Sequence, residues 1–329
     1  MTHRTAPTVS VIVPVFNKLP FLPPTLDSIL AAMRRHGAAE LILVDNLSTD
    51  GSWEYLQRYA DRAQVLRTDA RTIAAVRNFG ARHASGRILS FLDSDVVLRE
   101  DYFVRLEETF AGDDLGGAGC ECDIPDPAHW TERVWFQLHA VLEDGDVHYI
   151  NSANFALRRD VFDAVGGFDE QLTVAEDTDI SRRIREHGYR LREAQVLRVI
   201  HLANPKSLAA FYRKQVWHGV SVLDDGSIGA GNKASLMVLA NTALVALALG
   251  VLLVPGLAWP VRVGTAAALV LAAPVLAIAY RLIETRRSTS LPLALVLYVT
   301  YFAARTHALL AALGRRLKAP PAIVTRGAV

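Results

Sequence analysis

Apolar and polar positions change period repeatedly along the first part of the chain. Residues 9–13 form a short β-rich run closed by Pro14, and residues 41–44 form a second closed by Asp45 and Asn46. Between them, residues 22–35 repeat at helical spacing, with Leu26, Ile29, Leu30 and Met33 on one face and His36-Gly37 as the stop. The polar stretch DNLSTDGS, residues 45–52, then opens a helix through Trp53, Leu56 and Tyr59, with Thr49 or Asp50 as its cap. A strand at Val65-Leu66, a helix over 73–84 and a strand over 88–92 follow. This alternation predicts an α/β domain on a doubly wound, mostly parallel sheet, whose ligands sit at the carboxyl ends of the strands. The polar clusters at 14–18, 45–46 and 93–95 all fall at such ends.

After residue 233 the pattern is replaced by unbroken apolar sequence. Residues 234–261 contain no Asp, Glu, Lys, Arg or His, and residues 263–280 form a second charge-free run beyond Arg262. A helix needs about 20 apolar residues to cross the hydrocarbon of a bilayer, so both runs qualify, with Pro255, Gly256, Trp259 and Pro260 as the turn of a hairpin. A third run, 291–304, continues through Arg305 and His307 to Leu313 and reads as either a tilted third span or an interfacial or re-entrant segment, the latter favoured. The expected organisation is a catalytic-type domain over 1–232, a membrane domain over 233–313 with spans near 234–258 and 263–282, and a basic tail over 314–329.

Charge decides orientation. Lys233 precedes the first span, Arg281, Arg286 and Arg287 follow the second, and Arg315, Arg316 and Lys318 follow the third, whereas only Arg262 lies in the hairpin loop. Both the sheet domain and, if the third segment does not cross, the tail are therefore expected on the cytoplasmic side, and polar residues 1–8 carry no export signal. Over the whole chain, 35 basic residues balance 34 acidic ones, which gives no support to a nucleic-acid footprint. Cys120 and Cys122 lack the second cluster of a zinc site and are too close in sequence for an unstrained disulfide, so they read as free thiols.

The chemistry concentrates in two acidic clusters. The run Ile88, Leu89, Phe91, Leu92 is apolar enough for a central strand, and Asp93 is where it emerges. In extended backbone Asp93 and Asp95 share one side while Ser94 points away, giving a hard-oxygen site for Mg²⁺ or Mn²⁺ with positions left for phosphate. The second cluster, Glu176, Asp177 and Asp179, opens a helix ended by His187-Gly188 and holds more acids than a cap needs.

Five motifs, VSVIVPVFN, LILVDNLSTDGS, AAVRNFGARHASGRILSFLDSDVVL, NFALRRDVFDAVGGFDE and AEDTDISRRIREHGYRL, stand in the order and at the spacing of the family 2 glycosyltransferases, and the chain resembles that family over about residues 8–220. The resemblance implies the GT-A fold, a doubly wound mixed sheet. In similar enzymes the end of the first strand, here Pro14, Val15 and Asn17, and the pair after the second, here Asp45 and Asn46, hold the nucleoside. Arg77 would lie near the base and diphosphate, Asp93 with Ser94 near the ribose, and Asp95 with Asp93 on a divalent cation bridging the diphosphate. Asp177 matches the general base, with Glu176 and Asp179 shaping its surroundings, and His201 resembles a histidine near the metal. Residues 211–219 stand where relatives keep an acceptor-side or gating segment, which makes Arg213, Lys214, Gln215, Trp217 and His218 candidates there.

Two departures matter. Processive synthases carry Gln-x-x-Arg-Trp where this chain has Gln215-Val216-Trp217-His218-Gly219, which argues against chain extension, and Leu47 replaces a small residue beside the nucleotide pocket. The expected activity is therefore metal-dependent, inverting transfer of a sugar from a nucleoside diphosphate donor to a lipid-linked acceptor, at the cytoplasmic face of a bacterial inner membrane. A polyprenyl-phosphate glycosyltransferase is the nearest rival. A haloacid-dehalogenase-type phosphatase would want a hydroxyl where Val97 stands, and a non-catalytic membrane partner would not need Asp93, Asp95 and Asp177 together. Association into a homo-oligomer is left open.

Overall fold

The computed structural model describes residues 7–112, 114–140, 143–219 and 233–318. Residues 319–329 of the expected basic tail, and the residues just before the expected boundary at 232, lie outside that description. The chain packs as two compact units, one of residues 1–128 and 140–204, the other of residues 129–139 and 205–329.

The first unit runs β1 (Val9–Val15), α1 (Leu22–His36), β2 (Ala39–Asp45), α2 (Ser52–Leu56), β3 (Gln64–Arg67), α3 (Ile73–Arg82), β4 (Ile88–Leu92), β5 (Val96–Val97), α4 (Tyr102–Thr109) and β6 (Leu115–Gly119). After α5 (Trp130–His139), which belongs to the second unit, it resumes with β7 (Gly145–Asp146), β8 (Asn154–Arg158), α6 (Arg159–Ala164), α7 (Glu176–Glu186), β9 (Arg190–Glu193) and β10 (Ile200–His201). Eight strands form one mixed sheet in the order β3-β2-β1-β4-β8-β6-β9-β7. Its first four strands are mutually parallel, whereas β8 runs antiparallel to β4 and β6.

Alternation along β1 builds both faces of this sheet. Val9, Val11, Val13 and Val15 pack with Leu22, Leu26 and Ile29 of α1 and Phe103 of α4, while Ile12 joins Val76 of α3 and Ile180 and Ile184 of α7 on the other side. At Gly80 a Cβ would lie 2.6 Å from Ile12 Cγ2, so glycine lets α3 settle directly on β1.

Pro14 does not end the first strand. The Val15 carbonyl accepts from Asn46 beside β2 and the Thr8 carbonyl from Ile88 of β4, so alternation turns the missing Pro14 N–H toward β4. Pairing with β4 stops at Ile12, and the absent donor leaves no ladder bond unmade. The cap of α2 also differs from expectation: Gly51 occupies it at φ +92°, while Asp50 accepts from the Ser52 N–H at 3.0 Å.

The second unit comprises α5, α8 (Leu208–Gly219), α9 (Lys233–Leu252), α10 (Trp259–Thr285) and α11 (Leu291–Lys318). Packing thus divides the chain at 204 rather than at the composition change near 233, because Val134, Leu138 and Phe211 share a core with Val238, Ile278 and Leu297. α9, α10 and α11 are each long and apolar enough to cross a membrane. Leu249, Leu253, Leu276 and Ile283 are more than half exposed, an outward apolar surface suited to lipid. α10 starts earlier than expected, with Pro260 inside its first turn, where a missing N–H is harmless. α11 is one unbroken helix of 28 residues, about 42 Å long at 1.5 Å per residue, which leaves no re-entrant turn within it and suits either a third span or an interfacial helix.

Candidate active site

The carboxyl ends of the parallel strands β1, β2 and β4 open on the same edge of the sheet. After β1, Asn17 turns at φ +52°, its N–H donating to Ser48 Oγ at 3.0 Å and its side-chain oxygen accepting from the Thr49 N–H at 2.8 Å. Asp45 is fully buried at the end of β2; it accepts from the Ser48 N–H at 3.2 Å and from Arg67 Nε at 3.2 Å. Arg67 itself lies over the Trp53 ring, 4.8 Å from its centre. Between these anchors, Leu47 stands at φ +56° with about half of its surface exposed, on the rim that Asn17 and Asn46 share.

β4 delivers the acidic pair, though not by strand alternation. Residues 93–95 leave the strand in a turn, with Ser94 buried and its carbonyl accepting from Thr25 Oγ1 at 3.3 Å. Asp95 is 2% exposed. The next residues, Val96 and Val97 of β5, pair antiparallel with β10, and the register His201↔Val96 sets the imidazole beside Asp95. Gln195–Leu197, shortly before that histidine, form a 3₁₀ turn. Asp93, Asp95 and His201 each offer a ligand atom, all within 4.8 Å of one another.

These residues fit a divalent cation. Asp95 Oδ1 is buried without a hydrogen-bond partner, 3.4 Å from His201 Nε2. A buried carboxylate oxygen left bare is costly, and a hard cation is the partner that two carboxylates and an imidazole would hold. Lys18 Nζ contacts the other oxygen, Asp95 Oδ2, at 2.5 Å.

Arg77 joins the two acidic clusters. Its guanidinium, 2% exposed, donates to Glu176 Oε1 at 2.6 Å and to Asp93 Oδ1 at 3.1 Å, and faces the Phe168 ring. Glu176 also accepts from Ser152 Oγ at 3.2 Å. Neither acid caps α7, because Ala175 holds that position at φ +63°. Asp177 Oδ2 accepts from Tyr149 Oη at 3.0 Å and the Ser152 N–H at 3.2 Å, and Oδ1 from the Thr178 N–H at 2.8 Å. Burial, and next the adjacent Glu176 charge, push the Asp177 carboxyl above the usual aspartate range; Ser152, Tyr149 and Arg77 offset only part of this. Asp179 goes the other way. Burial would raise it, but Arg183 and Arg182 on the same helix hold it below its ordinary value, which makes it a local ion pair of α7.

Arg213, Lys214, Gln215, Trp217 and His218 lie on α8, within the second unit. Gln215 is buried and Trp217 exposed; α8 meets α11 through Tyr212 Oη and His307 Nδ1 at 2.8 Å. Burial first, then the charges of Lys214 and Arg305, lower the His218 pKa to about 4.

Sequence reasoning placed Lys18 in the polar cluster 14–18 without giving it a role, and overlooked Tyr149 and Ser152. Lys18 directly follows the VSVIVPVFN motif, a visible signal. Tyr149 and Ser152 come from an irregular loop before β8, and only the fold carries them to α7.

Residues 10–166 match the sequence family described as Glycosyl transferase family 2. The glycosyltransferase AglE of Haloferax volcanii is 29% identical over 211 residues, which cover 61% of this chain and 69% of that one. The O-antigen biosynthesis protein RfbC of Myxococcus xanthus is 30% identical over 223 residues, 60% of this chain but 17% of that much longer one. Among solved structures, the mannosyltransferase PcManGT of Pyrobaculum calidifontis, in complex with GDP-Man and Mn²⁺, superposes with a TM-score of 0.56 at 21% identity, over 95% of this chain and 88% of that one. The likeness extends to the GT-A fold of the mixed sheet. The motifs, the matched family and the named relatives agree: residues 10–166 form a family 2 glycosyltransferase domain.

Proposed function

We propose that this glycosyltransferase moves a sugar, with inversion, from a nucleoside diphosphate donor to a hydroxyl of a lipid-linked acceptor during cell-envelope glycan synthesis. The observation that carries the reading is the continuous chain of contacts from Asp95 and Asp93 through Arg77 to Glu176 and its neighbour Asp177. Asp93, Asp95 and His201 would hold a divalent cation, and the imidazole favours Mn²⁺ over Mg²⁺. When bound, that ion would supply Lewis-acid stabilisation of the leaving diphosphate. Asn17 and the turn organised by Asp45 would shape the nucleoside end. Arg77 positions Asp93 and Glu176 by holding both carboxylates at once. Asp177, raised in basicity, takes the proton of the attacking hydroxyl at its carboxylate, while Tyr149 and the Ser152 amide fix its orientation.

The acceptor class rests on the three apolar helices, which would keep the enzyme at the bilayer surface where lipid-linked glycans are concentrated. Arg281 near the end of α10 and Arg286 and Arg287 just after it favour a cytoplasmic sheet domain at a bacterial inner membrane. If α11 is a third span, the tail beyond it is carried to the opposite face.

The test is binding of a panel of nucleoside diphosphates and nucleotide sugars to the full chain in detergent, with Mn²⁺ and then with chelator. Tight, Mn²⁺-dependent binding of one nucleotide sugar supports the reading and names the donor. No binding by any member removes it. Turnover by Asp177→Asn at the wild-type rate would shift the acceptor to a lipid phosphate, which is already an anion and needs no base.

A further inference from the structure

Asp95 is the most deeply buried member of the acidic cluster, and the two groups that face its carboxylate come from distant segments. His201 faces Oδ1 at 3.4 Å, and the Lys18 ammonium touches Oδ2 at 2.5 Å. Lys18 does not hang loosely in this contact. Its own N–H donates to Ser52 Oγ at 3.1 Å, the preceding Asn17 is fixed at φ +52°, and its ammonium lies 5.6 Å from the centre of the Phe21 ring. Only about a third of its side chain is exposed. The side chain is therefore aimed into the cluster by a built turn.

We propose that Lys18 is a tethered counter-ion of the cation site: its ammonium pairs with Asp95 when no metal is bound, and a divalent cation binds by displacing it. This rests on the metal reading of Asp93, Asp95 and His201. An ammonium and a divalent cation cannot both sit on one buried carboxylate without strong repulsion, since like charges about 4 Å apart cost several kcal/mol even with substantial screening. Displaced, Lys18 has the reach and sign to pair with a phosphate oxygen of the arriving diphosphate. Cation and nucleotide binding thereby become linked: the ion pays the displacement cost alone, but in company with the diphosphate that cost is offset by a new ion pair. Lys18 acts on the affinity for the ion and is a positioning residue.

The experiment measures free Mn²⁺ by electron paramagnetic resonance during titration of the full chain in detergent, with and without a nucleoside diphosphate. Lys18→Met is expected to bind Mn²⁺ at least about tenfold more tightly than wild type without nucleotide, and to lose most of the mutual tightening between Mn²⁺ and nucleoside diphosphate. Lys18→Gln, which keeps a donor for Asp95 but no charge, should behave the same way and covers a failure of the methionine variant to fold. Unchanged or weaker Mn²⁺ binding by a folded Lys18 variant overturns the inference. Asp95→Asn separates the two levels of argument. If it binds Mn²⁺ as wild type does, the metal reading itself fails; if it loses Mn²⁺ while the Lys18 variants bind no tighter, only the counter-ion role fails.

Discussion

The two acidic clusters use the same side chains and live in opposite electrostatic surroundings. Asp95 is met by the Lys18 ammonium and the His201 imidazole, and Asp93 by the Arg77 guanidinium. Asp177 has no cation in direct contact among the described residues; it is held by a phenol and backbone amides beside the like charge of Glu176. A carboxylate surrounded by cations is an anion kept ready for a stronger cation. One that is partly desolvated next to another acid is a stronger base. Role is set by the neighbours, and Arg77, which touches both clusters, keeps them apart in function while fixing them in space.

The comparison breaks most sharply at Asp95. Asp95→Asn should abolish Mn²⁺-dependent nucleotide binding, a loss of about a hundredfold or more by isothermal calorimetry, with chelator no longer making a difference. Retained Mn²⁺-dependent affinity would show that the two clusters do not differ as described. Asp177→Asn comes next. It should leave donor affinity within about twofold while turnover falls about 10²- to 10⁴-fold, as expected for loss of a general base. If both variants lose donor binding equally, the division of labour between clusters is wrong.

Arg77→Met tests the link. It strips the buried Glu176 of its cationic partner, and breaking a buried ion pair from one side costs about 3–5 kcal/mol. A fall in melting temperature is expected together with weaker Mn²⁺ binding, because Asp93 loses its orientation. A variant as stable as wild type would mean that the bridge holds nothing.

How far the sequence announced this arrangement depends on whether a residue's role is local. The parallel half of the sheet was legible because each strand is a β-rich run ending in a polar turn, and each helix has a clean apolar face, as Leu26 and Ile29 show. The antiparallel half was not, since β7 is two residues long and the β6 run LGGAG has little side-chain pattern. Asp93 and Asp95 were visible as a pair, yet their shared direction comes from a turn. His201 was visible only by resemblance; its approach depends on a two-residue ladder that no periodicity reveals. The apolar run announced α11 as far as Leu313, and the helix continues to Lys318 because no proline interrupts 293–318 once Pro292 is in the first turn.

The finest test separates the hydrogen bonds around Asp177 from its burial. Its carboxyl lies above the ordinary value of 3.8, so activity should fall on acidification at a pH higher than an exposed aspartate would give. Tyr149 donates to the charged form and so pulls that limit down. Tyr149→Phe removes the donor, leaves burial and Glu176 in place, and must therefore raise the Asp177 pKa further. The acid limb of kcat should move to higher pH, with the plateau rate changed by no more than about threefold, because the base itself is intact. A limb that moves to lower pH, or stays where it was, would mean that the titrating group is not the carboxylate that Tyr149 touches. The contrast between a cation-held and a phenol-held carboxylate would then lose its catalytic half.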